Sequence, residues 1–421
     1  MHGKTAKPLN YIDLFAGAGG LSEGFKRAGF NPIAHVEIDE AACFTLRTRT
    51  AYHYLKDTQQ QKSYLQYLKG EISRKELYSL IPDELLGSVI NKGIGDENNL
   101  SIFGQIDRQL GDNEVDLIVG GPPCQAYSLV GRARDLNQMK GDSRNFLYVQ
   151  YAKYLERYNP KMFVFENVLG LKSAGSGVYL QNMEKLFRKK GYEIHIFSVK
   201  AENFGVLQKR RRLIIIGWKM DFIPNLPDLD NFRSGISGVV SNLFTDLPLL
   251  DAGAGVDKYS VYSGTTNSYL SQSHIRNGID LLTQHITRPH ITRDLEIYRI
   301  AVNKWNEKKE RLDYNELPDR LKTHANRKSF IDRFKVVAGD LEAAHTVVAH
   351  IAKDGHYYIH PDEKQNRSIS VREAARLQSF PDDFYFEGVK EGANRTAAFK
   401  QIGNAVPPLM GEKIANELTF R

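Results

Sequence analysis

The sequence contains only two cysteines, Cys43 and Cys124, in 421 residues. Two cysteines cannot build a disulfide framework or a structural zinc site, so the sequence predicts a protein of a reducing compartment. No apolar run approaches the roughly 20 residues that cross a bilayer, and the first residues, MHGKTAK, lack the apolar centre of a signal peptide. These absences predict a cytoplasmic protein without a membrane partner.

The composition allows a hydrophobic core and favours an anionic partner without identifying one. Hydrophobic residues make up 41% of the chain, and 421 residues are enough for two domains. Lysine and arginine number 57 against 50 aspartates and glutamates. That excess suits a polyanion, but many proteins with other functions are equally basic.

Residues 116–128, DLIVGGPPCQAYS, carry the strongest chemical signal. The apolar run 117–119 predicts a buried strand, which two glycines end, and two prolines then fix two φ angles and remove two amide donors. A cysteine after so stiff a corner is presented at the end of a strand, where open α/β sheets bind their ligands. A buried structural thiol needs no such corner, so we interpret Cys124 as a nucleophile.

A glycine turn near the N-terminus indicates a ligand site. Residues 11–20, YIDLFAGAGG, predict a strand that runs into a helix, with a turn that lets a ligand approach the backbone. The next predicted strand, 32–38, carries Glu37 near its end, where a carboxylate can accept hydrogen bonds from ribose hydroxyls. The Gly-x-Gly spacing alone suits a nicotinamide nucleotide equally well. We expect residues 44–100 to form helices outside the sheet, between the second and third strands.

Two later segments place charged groups beside predicted strands. Residues 161–168 predict a strand with Glu166 and Asn167 near its end. A carboxylate buried there costs free energy unless it has a partner or a purpose, such as giving a proton to a ring nitrogen. The sequence QKRRR at 208–212 most often marks a solvated turn, but an arginine that points inward could bind a carbonyl oxygen.

Residues 219–366 differ in their sequence pattern from the preceding part of the chain and begin with turn-rich sequence. This change predicts a domain boundary. Between residues 276 and 335, 14 lysines and arginines accompany 9 acids, a surface that favours phosphate contacts. Residues 345–350 and 356–361 alternate like strands. The histidines lack metal-ligand spacing and are expected on the polar surface: His274, His285, His290 and His324.

The C-terminal part predicts two helices. Ser370 and Glu373 form a capping box for a helix over 370–379 that connects two domains. The sequence GNAVPP at 403–408 opens the last helix and exposes amide groups, including that of Asn404, to a ligand.

Residues 122–125, PPCQ, resemble the catalytic motif of the DNA cytosine-5 methyltransferases, and the other motifs follow in that family's order over most of 11–218 and 367–408. The resemblance implies an α/β fold with a Rossmann-like mixed sheet flanked by helices, as in S-adenosylmethionine-dependent methyltransferases, and a second, smaller DNA-recognition domain. The implied catalytic and cofactor-binding domain is 1–218, completed by 394–421. The implied target-recognition domain is 219–393, including the connecting helix 370–379.

The same resemblance assigns roles to residues. The cofactor is S-adenosyl-L-methionine, with S-adenosyl-L-homocysteine as product, and no metal is involved. Where the family has Gly-Asp-Ile, this chain has Gln105 and Asp107, and either could contact the adenine amino group. The expected cofactor contacts are Phe15, Ala16, Gly17, Gly19, Gly20, Glu37, Ile38, Gln105, Ile106, Asp107, Pro123, Leu147, Asn404, Ala405 and Val406. The expected catalytic residues are Cys124, Glu166, Asn167, Arg210 and Arg212, and the expected DNA contacts are Gln125, Ser128, Arg132, Arg144, Arg327, Lys328, Arg333, Lys335 and Thr346.

The implied reaction is methylation of carbon 5 of a cytosine flipped out of double-stranded DNA, through a covalent bond between Cys124 and the base. The implied enzyme binds DNA as a monomer and works beside a cognate restriction endonuclease. Three alternatives stay open. An RNA substrate is disfavoured by the length of the region 219–366, a catalytically silent DNA-binding protein is disfavoured by the intact motifs, and a nicotinamide dehydrogenase would leave residues 122–124 unexplained.

Overall fold

The computed structural model of the protein describes residues 7–123, 146–222 and 224–418. Its strands are β1 (Asn10–Leu14), β2 (Asn31–Glu37), β3 (Val89–Asn91), β4 (Leu117–Gly120), β5 (Met162–Asn167), β6 (Tyr192–Lys200), β7 (Arg211–Lys219), β8 (Gly255–Val256) and β9 (His285–Ile286). The first seven form one mixed sheet in the order β3-β2-β1-β4-β5-β7-β6, and β8 pairs with β9. Strands β1 to β5 are parallel, whereas β7 runs antiparallel to both β5 and β6.

The α-helices of the described residues are α1 (Gly20–Arg27), α2 (Glu40–Asp57), α3 (Gln61–Lys69), α4 (Arg74–Ser79), α5 (Asp83–Gly87), α6 (Asp96–Leu110), α7 (Leu147–Tyr158), α8 (Val178–Lys189), α9 (Ser268–Gln272), α10 (Thr292–Lys308), α11 (Arg327–Phe330), α12 (Val371–Leu377), α13 (Arg395–Asn404) and α14 (Pro408–Glu417). None of these helices combines the length and the apolar character that crossing a membrane requires.

Helices cover both faces of the large sheet. Strand β4, at the centre of the sheet, is an uninterrupted apolar run, as is typical of a strand buried on both sides. One face packs on α6, α7 and α8 through a core that includes Ile118, Tyr151 and Phe163. The other face packs on α1 and α14 through Phe25 and Leu409. The α/β class and the mixed sheet predicted from the sequence are confirmed.

The strand order reverses between β1 and β4, because β1 leads outward to β2 and β4 leads to β5 on the other side. Ligands of open α/β sheets bind beside such a reversal, at the carboxyl ends of the strands. Phe15, Glu37, Gly121 and Glu166 lie at this edge. Strand β7 runs in the opposite direction and therefore begins at the same edge, with Arg212 as its second residue. The fold thus gathers motifs that are far apart in the sequence.

The prediction for residues 44–100 is confirmed only in part. Helices α2 to α5 are present, but the three-residue strand β3 pairs with β2 and widens the sheet. So short a strand leaves no periodic signal in the sequence. The helices also pack on more than the sheet: the Tyr64 hydroxyl donates to the carbonyl of Asp383 at 2.7 Å, and the Tyr67 hydroxyl donates to the carboxylate of Glu387.

The prediction of strands at 345–350 and 356–361 is wrong. A 3-10 turn occupies Ala349–Ala352, and isolated bridges are the only ladder contacts that Ile359 makes among the described residues. Val347 enters one hydrophobic cluster and Ile359 another, but Tyr358 and His360 on either side of Ile359 are buried as well. The alternation in the sequence therefore does not correspond to the two faces of a strand. The predicted capping box is confirmed: Ser370 and Glu373 satisfy each other's backbone N–H groups at the start of α12, and α12 is buried along its whole length.

The histidine prediction is wrong for His285 and His290. His285 is 1% exposed, and its ring nitrogens contact the Ser370 hydroxyl and the Pro248 carbonyl oxygen. His290 is partly buried and contacts the Ser368 hydroxyl at 2.9 Å. Long-range packing of the chain around α12 encloses both rings, which spacing along the sequence cannot show.

We expect the free energy of unfolding to fall as the pH is lowered from about 6.5 to about 4. Burial lowers the pKa of His290, His345 and His360 to about 4 in each case. Within this window the unfolded chain binds protons that the folded chain does not, so stability rises with pH and is lost as the pH falls. Urea unfolding between about pH 7 and about pH 4.5 measures the slope. His360→Gln should make the slope shallower, and an unchanged slope in that variant would contradict the assignment.

Candidate active site

The glycine turn after β1 lies against the C-terminal part of the chain. Phe15 has a φ of 57°, in the left-handed region that aromatic residues rarely adopt outside strained functional turns. A Cβ on Gly20, the first residue of α1, would lie 2.2 Å from the carbonyl oxygen of Val406, so only glycine permits this approach. Asn404 is exposed beside it. The structure therefore brings residues 404–406 next to the glycine turn. A ligand that contacts both segments would require this arrangement.

Glu37 joins the end of β2 to the same turn. Its Oε2 accepts a hydrogen bond from the backbone N–H of Gly17 at 2.7 Å, and its Oε1 accepts from those of Ile38 and Asp39 at 2.9 and 2.8 Å. Burial raises the pKa of this carboxyl, and the three backbone donors oppose that shift. A carboxylate offers about four acceptor positions, so one stays open for a ligand hydroxyl.

The ends of β2 and β3 form an apolar platform next to Glu37. Ile38 is 72% exposed. Its Cδ1 would lie 2.9 Å from a Cβ on Gly93, so the two residues are in close contact. Asn91, the last residue of β3, donates from Nδ2 to the carbonyl of Ile38 at 3.0 Å. A planar heterocycle could cover this platform.

The expected adenine contact at residues 104–107 is corrected. These residues lie in the second half of α6, where Ile106 is fully buried in the core and Asp107 accepts hydrogen bonds from two side chains of α7. The Gln105 amide donates to a carbonyl of its own helix. At about 1.5 Å per residue, Gln105 lies roughly 14 Å along α6 from the helix start at the ligand edge. Asn91 and the residues after β3, which the sequence analysis missed because β3 is so short, occupy that edge instead.

The corner after β4 is held by β5. A Cβ on Gly121 would lie 2.6 Å from the carbonyl oxygen and 2.7 Å from Oε2 of Glu166, so glycine is required for this contact. Asn167 is 1% exposed and donates from Nδ2 to the Pro122 carbonyl at 3.3 Å. The corner that leads into the cysteine motif therefore lies directly against Glu166. The predicted site residues Cys124, Gln125, Ser128, Arg132 and Arg144 lie outside the described residues.

Glu166 and Arg212 form an ion pair at this edge. Arg212 Nε donates to Glu166 Oε1 at 2.6 Å, and each side chain is 13% exposed. The guanidinium offsets part of the cost of burying a carboxylate at the end of a strand. A substrate that reaches the pair meets a carboxyl group and a guanidinium side by side. These groups can act on a ring nitrogen and on the neighbouring carbonyl oxygen.

Arg210 does not join this pair, which corrects its assignment as a catalytic residue. Its side chain is almost fully buried, and it donates to the carbonyl of Val347 at 2.7 Å and to that of Gly403 at 3.3 Å. Gln208, to which the sequence analysis assigned no role, acts similarly: it accepts from the backbone N–H of Val347 at 2.8 Å and donates to the carbonyl of Leu377 at 2.9 Å. The motif therefore ties together segments from three parts of the chain. In the sequence, the only sign of this role was that polar residues occupy the alternate positions 208, 210 and 212.

The remaining predicted contacts fall into four groups. Leu147 begins α7 and Pro123 follows the corner after β4, which places both at the ligand edge. Arg327 and Lys328 are exposed in α11. Arg333 donates to an aspartate and Lys335 forms an ion pair of 2.5 Å with another, and the DNA contacts of both stay predictions. The Thr346 hydroxyl donates to a backbone carbonyl of the QKRRR motif.

Three proteins illustrate what the chain is similar to. Type II methyltransferase M.Bpa9945I of Bacillus paralicheniformis is 39% identical over 438 residues, which cover 96% of this chain and 97% of that protein. Type II methyltransferase M.DdeI of Desulfomicrobium norvegicum is 28% identical, with 98% and 89% covered. A crystal structure of a candidate DNA modification methyltransferase encoded within a prophage (E. coli) superposes with a TM-score of 0.62 at 23% identity, covering 97% and 98% of the two chains. At 23% identity, the similarity to this crystal structure supports a shared fold and nothing more.

The family model for C-5 cytosine-specific DNA methylase matches residues 9–73 and 88–419. The matched residues include the glycine turn, the corner before Cys124, the Glu166–Arg212 pair and residues 404–406. The unmatched interval 74–87 contains α4 and α5 and none of the predicted site residues. This chain is therefore a member of the C-5 cytosine-specific DNA methylase family.

Proposed function

We propose that this methyltransferase modifies carbon 5 of a cytosine within a specific sequence of duplex DNA, using Cys124, Glu166 and Arg212, and protects that DNA from a partner endonuclease. The observation that carries the proposal is the Glu166–Arg212 pair, packed against the corner that leads into Cys124. The names of the similar type II methyltransferases support the restriction-modification setting.

The residues at the β1–β2 edge fit S-adenosyl-L-methionine. Glu37 keeps an acceptor position for a ribose hydroxyl, Ile38 offers an apolar surface to the adenine, and Asn404 presents an amide beside the glycine turn. This cofactor supplies an electrophilic methyl group on a sulfonium. The role of the protein is to hold it next to the corner before Cys124 and to exclude water.

The proposed chemistry begins at Cys124. Carbon 5 of cytosine is a poor nucleophile, and addition of the thiolate to carbon 6 converts it into an enamine carbon that can attack an electrophilic methyl group. Glu166 gives a proton or a hydrogen bond to N3 while Arg212 binds O2, which stabilises the negative charge that enters the ring. Once carbon 5 carries the methyl group, a base takes the proton from carbon 5, the electrons of that C–H bond re-form the C5–C6 double bond and the thiolate is expelled from carbon 6.

This chemistry requires that the base leave the duplex, because carbon 6 is inaccessible within stacked DNA. We assign catalysis and cofactor binding to residues 1–218 with 394–421, and target recognition to residues 219–393. Gln208 and Arg210 support this division, since they fasten the catalytic motif to residues of both parts. The enzyme is proposed to act as a monomer, since Cys124, Glu166 and Arg212 belong to one chain.

Plasmid DNA from an expressing host tests the proposal. We expect 5-methylcytosine in nucleosides from that plasmid and resistance to those restriction enzymes whose sites overlap the recognised sequence. Transfer RNA from the same cells is the second arm of the experiment. Modified cytosine in the RNA but not in the plasmid would overturn the assignment to DNA.

We expect Glu37→Gln to weaken binding of S-adenosyl-L-methionine roughly tenfold to a hundredfold. The amide loses acceptor positions and directs a donor towards the backbone N–H groups of Gly17, Ile38 and Asp39. Hydrogen bonds to a charged group contribute about 1.5–3 kcal/mol, which corresponds to that range. Isothermal titration calorimetry measures the affinity. Glu40→Gln, which changes an exposed carboxylate three residues away, is the matched control, and equal losses in both variants would contradict the role of Glu37.

A further inference from the structure

Three cations lie together at the carboxyl edge of the outer strands. Lys200 ends β6 and Arg211 begins β7, and the two residues are paired directly across the ladder. Lys172, in the turn after β5, donates from Nζ to the hydroxyl of Ser198 at 2.6 Å, two positions before Lys200. All three are exposed. We call Lys172, Lys200 and Arg211 the outer cation row.

The outer cation row lacks the acidic neighbours that some other cations around the same strands have. Among the described residues, no carboxylate lies within ion-pair distance of any of its three members. At the opposite edge of the sheet, by contrast, Lys161 pairs with Asp116 at 3.6 Å and Lys190 pairs with Glu156 at 2.6 Å. Like charges placed opposite each other in a ladder are destabilising, so the pairing of Lys200 with Arg211 calls for an anion outside the chain.

The position of the row relates it to the catalytic pair. Arg211 precedes Arg212, whose guanidinium binds Glu166, and successive residues of a strand point to opposite faces of the sheet. Arg211 and Lys200 therefore flank the catalytic edge on the face that is covered by α6, α7 and α8. The row lies outside residues 219–393, to which target recognition is assigned.

We propose that the outer cation row binds backbone phosphates of duplex DNA that flank the target cytosine, on the catalytic part of the protein. The inference rests on the proposed function, since it takes duplex DNA as the substrate. Contacts of this kind position the duplex and carry no sequence information. They extend the DNA-binding surface beyond the recognition region and anchor the strand from which the base is extruded.

Salt dependence of DNA binding tests the proposal. The probe is a fluorescent 30-base-pair duplex of mixed sequence, bound by the full-length protein at salt concentrations from about 50 to 200 mM. Each lost phosphate contact reduces the slope of log K against log salt by about 0.9, so Lys172→Gln/Lys200→Gln/Arg211→Gln should lower its magnitude by roughly 2.7. The single variant Lys172→Gln should lower it by about 0.9 and remains informative if the triple variant fails to fold.

The matched control changes the same number of charges at the opposite edge of the sheet. Lys161→Gln/Lys189→Gln/Lys219→Gln alters the residue before β5, the end of α8 and the end of β7, and should leave the slope unchanged. Lys200→Arg/Arg211→Lys keeps both charges and should also leave it unchanged. Equal losses in the two triple variants would reveal an effect of net charge alone, and no loss in either would place the DNA elsewhere. Both results overturn the proposal, and neither affects the plasmid methylation that tests the proposed function.

Discussion

Replacing Cys124 by serine should abolish methyl transfer and leave the binding of S-adenosyl-L-methionine intact. A cysteine is a few per cent thiolate at pH 7, whereas a serine hydroxyl is almost never ionised and cannot add to carbon 6. We expect a loss of at least about 10³-fold in turnover, which corresponds to roughly 4 kcal/mol in the activation free energy. The residues around Glu37 that are expected to bind the cofactor lie at the ends of β1 and β2. The affinity of the protein for S-adenosyl-L-methionine should therefore not change. Mass spectrometry of nucleosides from plasmid DNA measures the activity, and calorimetry measures the binding.

The second cysteine provides the control. Cys43 is fully buried in α2, and burial raises the pKa of its thiol to about 12, so it holds almost no thiolate at neutral pH. We expect Cys43→Ser to retain methyl transfer and iodoacetamide to label the wild-type protein at Cys124 alone. Persistent 5-methylcytosine in the Cys124→Ser plasmid, or loss of activity only in Cys43→Ser, would refute the assignment of the nucleophile.

Replacing Arg376 by methionine should lower the free energy of unfolding by about 3–5 kcal/mol. Arg376 is fully buried in α12 and donates to Asp246 Oδ1 at 2.6 Å and to Asp382 Oδ1 at 3.0 Å. Burial by itself would raise the pKa of Asp382, but the Arg376 guanidinium holds it below its usual value. Methionine fills a similar volume but leaves two buried carboxylates without their shared partner, and breaking a buried ion pair in this way costs about 3–5 kcal/mol.

An exposed ion pair of the same chemistry gives the comparison. Arg320 pairs with Glu296, and their side chains are 64% and 37% exposed. Arg320→Met should cost less than about 1 kcal/mol, since solvent screens the pair. With an unfolding entropy of about 2.1 cal/mol/K per residue, Arg376→Met should lower Tm by roughly 3–6 °C and Arg320→Met by about 1 °C or less. Similar shifts in the two variants would show that the buried network does not stabilise the fold.

Local signals in the sequence were sufficient to predict most strands of the sheet and part of the candidate site. The apolar run at 117–119 predicted a strand because a strand covered on both faces must be apolar throughout. The capping box at Ser370 was readable because its two partners are three residues apart. The strand end carrying Glu166 and the turn at residues 16–20 were found for the same reason, since each is specified by adjacent residues.

The errors occurred where a residue's surroundings come from distant parts of the chain. Strand β3 has three residues and forms only because β2 offers it an edge. Gln105 was placed by aligning residues 104–106 with the family's Gly-Asp-Ile, but its helix carries it away from the ligand edge. Residues 356–361 alternate in the sequence, but Tyr358, Ile359 and His360 are all buried, by packing against other parts of the chain rather than by a neighbouring strand.

By itself, the sequence determined the order of the chemical groups: a glycine turn, a rigid corner before a cysteine, an acid at the end of a strand and a basic motif ahead of the next one. Only the tertiary structure decided which members of these motifs meet. Arg210 and Arg212 are identical side chains two positions apart, yet one binds carbonyl oxygens of residues 347 and 403 and the other binds Glu166. A guanidinium bonds to acceptors about 3 Å away, and long-range packing places those acceptors there.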